Sequence, residues 1–192
     1  GLGPCALTGV GVQLLSAAHQ HMKQYKKELE FAKKLALKSG KIIRKNFLRS
    51  KITIKSDLSP VTETDIAVSK LINKEVKKNF PDHVVLDEEI NKVIPKEKYV
   101  WVCDPVDGTI PFSHHTPTSM FSLALCENGE PVVAVIFDPY FKRLLYTKKG
   151  DKTYMNGKKI SVDKKDFKEG DIVYGDFRNP KLMNINRFFQ LL

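Results

Sequence analysis

Cysteine is scarce in this 192-residue sequence, and no segment stays apolar for long. The three cysteines, Cys5, Cys103 and Cys126, lie far apart and form no C-x-x-C pair, which argues against a thiolate zinc site and against a disulfide framework. Free thiols in odd number favour a reducing, cytoplasmic environment. No apolar run approaches the roughly 18 residues that cross a bilayer, so we expect no membrane span. With 11 glycines and 10 prolines, a collagen-like or low-complexity chain is excluded.

Acidic residues are outnumbered by lysine and arginine, 22 to 32, which leaves a formal net charge of +10. The lysines are scattered along the chain, and few aromatic residues lie among them. This distribution favours a solvated, lysine-rich surface over a nucleic-acid-binding face, and it would also attract phosphorylated small molecules. With 42% hydrophobic residues, the chain is able to bury a core.

Two amphipathic segments in the first half predict helices. Tyr25 to Phe47 carries apolar side chains at helical spacing on one face and lysines on the other. Lys51 to Lys55 alternates polar and apolar residues, as in a short strand. After a loop, the T-x-x-D sequence Thr62 to Asp65 resembles a capping box and predicts the start of a second helix, which runs to about Asn79.

From residue 84 onwards, short apolar segments alternate with turns. They predict strands at Val84–Leu86, Tyr99–Cys103, Ser119–Cys126, Val132–Phe137 and Leu144–Thr147. Asn128-Gly129 and Asn156-Gly157 predict hairpin turns. Connections this short favour antiparallel pairing, because parallel neighbours need a long crossover. We therefore expect an α+β layered fold in which two N-terminal helices pack on a mostly antiparallel sheet.

Acidic residues gather where two of these strands end. Asp104 and Asp107 lie on either side of a proline and a valine, and Glu88-Glu89 follows an earlier strand. If the two strands are neighbours, their carboxylates share one edge and repel one another without a cation. Gly108 permits close backbone approach, and the amides after it can face an anion. These groups suit a phosphate bridged by Mg²⁺, which prefers oxygen ligands; the alternative is an ordinary acidic turn.

The segment Asp104-Pro105-Val106-Asp107-Gly108-Thr109, with Phe112 and Ser122 to Leu125 after it, resembles the signature of the inositol monophosphatase family. Glu88-Glu89 resembles the upstream acidic pair of that family, and Thr62-Glu63-Thr64-Asp65 resembles its T-x-T-D helix start. These elements occur in the family's order and cover most of the chain. The resemblance implies an αβαβα layered sandwich and a magnesium-dependent, lithium-sensitive phosphatase that forms homodimers.

The resemblance also implies a role for each matching residue. Glu88 and Asp104 would bind a first Mg²⁺ with the backbone carbonyl of Val106, and Asp104 and Asp107 would bind a second. Such ions activate a water molecule and stabilise the leaving oxygen. Glu89 would lie outside the metal ligands.

The catalytic residues implied in this way are Asp65, Thr109 and Glu88. Thr109, with Asp65 behind it, resembles the pair that orients the attacking water, and the amides of Gly108 and Thr109 resemble the phosphate cradle. The implied substrate-binding residues are Glu88, Val106, Asp107, Gly108 and Thr109.

The sequence departs from the family pattern at three places. Asp87 stands before the acidic pair where the family usually has Gly, and it would add charge near the site. Pro111 stands where the family has Asn, which bears on substrate selection. A W-D element supplies another metal-binding Asp in the second domain of the family, but the single tryptophan here, Trp101, lies in the first motif. We therefore expect an N-terminal extension or leader at 1–22, the metal- and phosphate-binding domain at 23–170, and an incomplete start of a second α/β domain at 171–192.

We expect a Mg²⁺-dependent phosphomonoesterase acting on a sugar or inositol monophosphate, with no nucleic-acid or membrane partner. Fructose-1,6-bisphosphatase, histidinol-phosphatase or bisphosphate nucleotidase activity is the alternative within the superfamily. A non-catalytic remnant that binds metal or phosphate is a further alternative, and a basic nucleic-acid binder is the third. His114-His115 is interpreted as a surface loop, and Lys55 as either solvated or facing the phosphate.

Overall fold

The computed structural model describes residues 24–55, 60–90 and 95–162. The helices are α1 Lys26–Asn46, α2 Glu63–Asn79 and α3 Thr109–Ser113. The strands are β1 Ile52–Ile54, β2 Pro60–Thr62, β3 Val84–Asp87, β4 Tyr99–Asp107, β5 Met120–Glu127, β6 Glu130–Asp138, β7 Arg143–Lys148, β8 Thr153–Met155 and β9 Lys158–Ile160. All of them belong to one compact unit that ends at Ile160. The N-terminal extension and the second domain expected from the sequence lie outside the described residues.

Both helices predicted in the first half are present. One face of α1 is fully buried at Ala32, Ala36 and Ile43, while its lysines lie largely on the other side. The predicted capping box at the start of α2 is also present, since the Thr62 side chain accepts from backbone amides of the first turn and Asp65 bonds back to the Thr62 amide. None of the described helices is long and apolar enough to cross a membrane.

The sheet confirms the expected α+β class. Strands β3 to β9 form one seven-stranded sheet in chain order, and β1 and β2 form a separate antiparallel pair. Every neighbouring pair in the large sheet is antiparallel except β3 and β4, which run parallel. The Asn128-Gly129 and Asn156-Gly157 turns have positive φ at all four residues, as two-residue hairpins with this sequence require.

Helices α1 and α2 pack on the sheet and form the core with it. Helix α1 contacts β5, β6 and β7, and α2 contacts β3 and β4. The largest fully buried side chains include Trp101, Phe112 and Phe121. Gly40 lets α1 approach β6 closely, because a Cβ at this position would lie 2.2 Å from Cε1 of Phe137. The packing therefore fixes α1 against the sheet at a point where no larger residue fits.

Candidate active site

The parallel pairing of β3 and β4 brings the two acidic segments to one edge of the sheet. In the register of this pair, Asp87 lies opposite Cys103. The next residues, Glu88 and Asp104, therefore follow at the same end of two neighbouring strands. The sequence analysis assumed that the strands before Glu88 and Asp104 are neighbours, and the structure shows that they are.

The sequence pattern predicted that strand β4 ends at Cys103, but the strand continues through an irregular segment to Asp107. Asp104 pairs with Ser122 and Asp107 pairs with Met120, so β4 contains one more residue than β5 between these pairs. Such a bulge bends the strand and changes the direction of its side chains. Pro105 fits here because it lies beyond the end of β3, where no partner strand needs its missing amide.

Asp65 and Thr109 meet where α2 and α3 begin. The Asp65 carboxyl group is buried, with an exposed fraction of 1%. One of its oxygens accepts from the Thr62 amide at 2.9 Å and from the Thr62 hydroxyl, and the other accepts from Oγ1 of Thr109 at 3.1 Å. Burial raises the pKa of Asp65, and the hydrogen bonds from Thr62 and Thr109 oppose that rise. The carboxylate therefore depends on these hydroxyl groups for its solvation.

Gly108 turns the chain from β4 into α3. Its φ of +93° is strained for other residues, and an added Cβ would lie 3.5 Å from Cα of Ser119. The first amides of a helix have no carbonyl partner within it, so those of Thr109 and Ile110 are available to an anion. Pro111, the departure from the family pattern, lies in this first turn, where a missing amide interrupts no helical hydrogen bond.

Asp104 is the most strongly perturbed carboxyl group of this edge. Burial raises its pKa to about 7, and the charges of Glu88, Asp107 and Asp65 add to the rise, while a hydrogen bond with the Val106 backbone opposes it. Carboxylates from β3, β4 and α2 therefore share one electrostatic environment. A cation at this edge would relieve the repulsion between them.

Glu89 pairs with a lysine and not with the other carboxylates of the edge. Its side chain is only 3% exposed and forms an ion pair with Lys55, with 2.6 Å between Nζ and Oε2. Burial raises the pKa of Glu89, and Lys55 opposes that rise. The two interpretations of Lys55, solvated or facing the phosphate, did not include this pairing. The charge of Glu89 is therefore compensated by a lysine.

Asp87 has a structural role that the sequence interpretation missed. Instead of adding charge at the exposed edge, its carboxylate is fully buried. It accepts from Oγ of Ser69 at 2.9 Å, from Sγ of Cys103 at 3.3 Å and from the Glu89 amide at 2.8 Å. These bonds connect α2, β3 and β4 directly beneath the acidic edge. The alternation along β3, which buries Val85 and Asp87, is the signal that would have placed it on the inner face.

His114 and His115 lie outside this arrangement. Both are exposed in the turn after α3, and Nδ1 of His114 is 2.9 Å from the Ile110 carbonyl oxygen. This agrees with the interpretation as a surface loop. Within the described ranges, no three His, Cys, Asp or Glu side chains are arranged as a ready set of metal ligands.

The donor chemistry of the edge nevertheless fits a hard divalent cation. Glu88, Asp104 and Asp107 offer carboxylate oxygens, and Val106 offers a backbone carbonyl. These residues provide oxygen ligands without closing a coordination sphere. Water and substrate oxygens complete the sphere of Mg²⁺ in many phosphate-handling sites.

The chain is similar to known proteins in sequence and in fold. Residues 24–187 match the family described as the inositol monophosphatase family. The chain is 35% identical over 158 residues to a fructose-1,6-bisphosphatase/inositol-1-monophosphatase of Aquifex aeolicus, covering 80% of this chain and 60% of that protein. It is 36% identical to inositol monophosphatase 1 of Solanum lycopersicum, covering 66% of this chain and 48% of that protein.

A similar fold is found among solved structures. The IMPase of Thermotoga maritima superposes with a TM-score of 0.67 at 34% identity, covering 72% of this chain and 54% of that one. The chain thus spans about half to three-fifths of the length of these relatives.

Proposed function

The chain belongs to the inositol monophosphatase family, and on that premise we propose that it hydrolyses phosphomonoesters of a sugar or of inositol in a Mg²⁺-dependent reaction. The observation that carries the proposal is the parallel register of β3 and β4, which brings Glu88 and Asp104 to the same end of two neighbouring strands. Burial and the charges of Glu88, Asp107 and Asp65 raise the pKa of Asp104 there, which agrees with this geometry. This arrangement is unfavourable without a cation and favourable with one. A relative in Aquifex aeolicus is named for both fructose 1,6-bisphosphate and inositol 1-phosphate, which supports a sugar or inositol substrate.

The proposed metal-binding groups are the carboxylates of Glu88, Asp104 and Asp107 and the backbone carbonyl of Val106. When bound, Mg²⁺ lowers the pKa of a water molecule and neutralises phosphate charge. Because phosphoryl transfer depends mainly on positioning and charge neutralisation, fixed carboxylates at a strand edge suit the reaction.

Thr109 is proposed to orient the attacking water, together with Asp65. The Thr109 hydroxyl proton lies within reach of two acceptors, the Asp65 carboxylate at 3.1 Å and the Val106 carbonyl at 3.2 Å. The charged carboxylate is the stronger acceptor. With its proton directed inward, Oγ1 presents its lone pairs to the site, where it accepts a hydrogen bond from water.

The backbone amides at the start of α3 are proposed to hold the phosphate. The amides of Gly108 and Thr109 donate to its oxygens, and the positive φ of Gly108, which glycine adopts without strain, turns the chain at this point directly after Asp107. Glu88 is proposed to act with Thr109 and Asp65 as a catalytic residue and to contact the substrate.

Other properties are proposed on the family alone. These are inhibition by lithium and homodimer formation. A cytoplasmic location is proposed because Cys103 and Cys126 are free thiols.

A second candidate is a chain that binds metal and phosphate without turnover. One observation favours it: within the described ranges, the side chains do not complete a set of metal ligands. Both candidates require the acidic edge and differ only in the release of phosphate.

The test compares Asp104→Asn with Asp82→Asn, an exposed carboxylate before β3. Phosphate release from inositol 1-phosphate and fructose 1,6-bisphosphate is measured with and without Mg²⁺, and Mg²⁺ binding is measured by calorimetry. We expect Mg²⁺-dependent release that falls at least about 100-fold in Asp104→Asn and stays unchanged in Asp82→Asn. Binding without release supports the second candidate. Full turnover by Asp104→Asn in metal-limited buffer refutes the proposed site.

A further inference from the structure

A cavity lies between α1 and the segment that joins β6 to β7, away from the acidic edge. Its volume is about 430 Å³, which is within the range of small-molecule sites. Apolar side chains form its floor: Leu37 from α1, Phe137 and Pro139 from the end of β6, and Leu144 from β7. None of the residues that line it belongs to the acidic edge of β3 and β4.

The rim of this cavity is positively charged. Lys41 and Arg44 lie three residues apart on α1, hence on one helix face, and Lys142 faces them from the β6–β7 segment. None of the three forms an ion pair within the described part of the chain, and no acidic residue lines the cavity. The nearby Asp138 is already engaged, because its carboxylate accepts from both Nε and Nη2 of Arg143.

The wall that carries Lys142 is fixed by hydrogen bonds. Asn156 accepts from the Leu144 amide at 2.9 Å and donates from Nδ2 to the Lys142 carbonyl at 3.1 Å. Its own amide donates to the Leu144 carbonyl at 2.9 Å. At the other end of the segment, Asp138 accepts from the amides of Tyr140 and Phe141. The backbone of this wall is therefore held in place, which lowers the entropic cost of binding on this side of the cavity.

We propose that this cavity binds a small organic anion. The apolar body of this ligand lies on Leu37, Phe137 and Leu144. Its phosphate, sulfonate or carboxylate group faces Lys41, Arg44 and Lys142. Apolar surface and uncompensated positive charge within one cavity select a ligand that has both features. A metal ion is excluded by the charge, and inorganic phosphate leaves the apolar floor unused.

Calorimetric titration of the full chain tests the proposal. The probe is 1-naphthalenesulfonate, which combines an aromatic body with one negative charge, and its uncharged counterpart is 1-naphthalenemethanol. We expect one-to-one binding of the sulfonate and binding of the alcohol that is at least about tenfold weaker. Inorganic phosphate is expected to bind more weakly than the sulfonate. Equal affinities for sulfonate and alcohol, or for sulfonate and inorganic phosphate, overturn the proposal.

Two double variants with equal loss of charge locate the site. Lys41→Gln/Arg44→Gln removes two rim charges and is expected to weaken sulfonate binding about tenfold. Lys45→Gln/Arg49→Gln removes one lysine and one arginine at exposed positions outside the cavity and is expected to change it less than about twofold. Equal weakening by both variants indicates general attraction to a basic chain, and no weakening by the first indicates another site. Either result overturns the assignment.

One further measurement separates a free solute from a lipid headgroup. The chain is sedimented with vesicles of phosphatidylserine and with vesicles of phosphatidylcholine. No difference between the two, together with sulfonate binding, supports a soluble ligand. Binding to phosphatidylserine vesicles without sulfonate binding overturns the small-ligand proposal.

Discussion

Replacement of Thr109 by valine tests the proposed site with a change of a single polar atom. Valine keeps the volume of threonine but removes the hydroxyl that donates to Asp65 at 3.1 Å. Since the Asp65 carboxylate is 1% exposed, water does not readily replace the lost donor. A hydrogen bond to a charged group contributes about 1.5–3 kcal/mol, so we expect Thr109→Val to lower the free energy of unfolding by about 2 kcal/mol. That corresponds to a decrease in Tm of about 4–8 °C for a chain of this size.

The same change is expected to affect phosphate release more strongly than stability. Valine offers no lone pair to a water molecule, so the proposed orientation of the nucleophile is lost. A positioned acid–base group contributes about 100-fold or more to a rate. We therefore expect the rate constant of phosphate release at saturating substrate to fall by that factor in Thr109→Val at a temperature where the variant is fully folded.

Thr109→Ser is the matched control because it keeps the hydroxyl. It is expected to retain most of the stability and of the phosphate release. If Thr109→Val loses stability but keeps its rate, the hydroxyl is structural and the water-orienting role is wrong. If Thr109→Val keeps both, the hydrogen bond to Asp65 does not hold the site together.

Three further changes probe the surrounding structure. Gly40→Ala places a Cβ 2.2 Å from the Phe137 ring. The cost of overpacking, about 3 kcal/mol, outweighs the gain in helix propensity, about 1 kcal/mol. Urea unfolding should therefore show that the free energy of unfolding falls by about 2 kcal/mol. His83 accepts from Nε1 of Trp101 at 3.1 Å, and burial lowers its pKa below 6.5. Its contribution to stability is therefore complete above pH 6.5 and is lost as the pH falls through the lowered value, as thermal unfolding from pH 7.5 to 5 should show. Asp87→Asn puts an amide donor among three donors, so Tm and Mg²⁺ affinity should both fall.

Each of these outcomes has a control. The exposed Lys41 on α1 serves for the first, since Lys41→Ala should leave urea unfolding nearly unchanged. For the second, His83→Gln should change the pH dependence only by the His83 contribution, so the difference between the two Tm curves is the quantity to measure. Asp104, whose pKa is raised to about 7, titrates in both proteins. For the third, an unchanged Mg²⁺ affinity in a folded Asp87 variant would show that this carboxylate does not position the acidic edge.

Local signals in the sequence were sufficient for most of the secondary structure. The capping box at Thr62 to Asp65 is determined within four residues, because both of its hydrogen bonds form inside one helical turn. The turns at Asn128-Gly129 and Asn156-Gly157 follow from two residues that tolerate positive φ. The end of β4 was placed too early because a proline, here Pro105, usually ends a strand. The structure shows that Pro105 lies beyond the end of β3, where the β3–β4 ladder no longer needs its amide.

Long-range pairing determined the details of the site. The pairing of Lys55 with Glu89 brings together residues whose separation along the chain gives no periodic signal. Asp87 was interpreted as additional charge near the site because its hydrogen-bond donors Ser69 and Cys103 lie on other elements and are not visible in the local sequence. Gly40 has no visible partner in the sequence, but in the structure it meets Phe137.

Local sequence signals thus indicated where carboxylate oxygens gather along the chain and where helices and strands begin, since propensity, capping and turn chemistry act over a few neighbouring residues. They left open whether the strands before Glu88 and Asp104 are neighbours. The tertiary structure decided this by pairing β3 with β4 in parallel, and with it the raised pKa of Asp104. The physical reason is that electrostatic repulsion and burial depend on distances through space, which only the packing of the sheet sets.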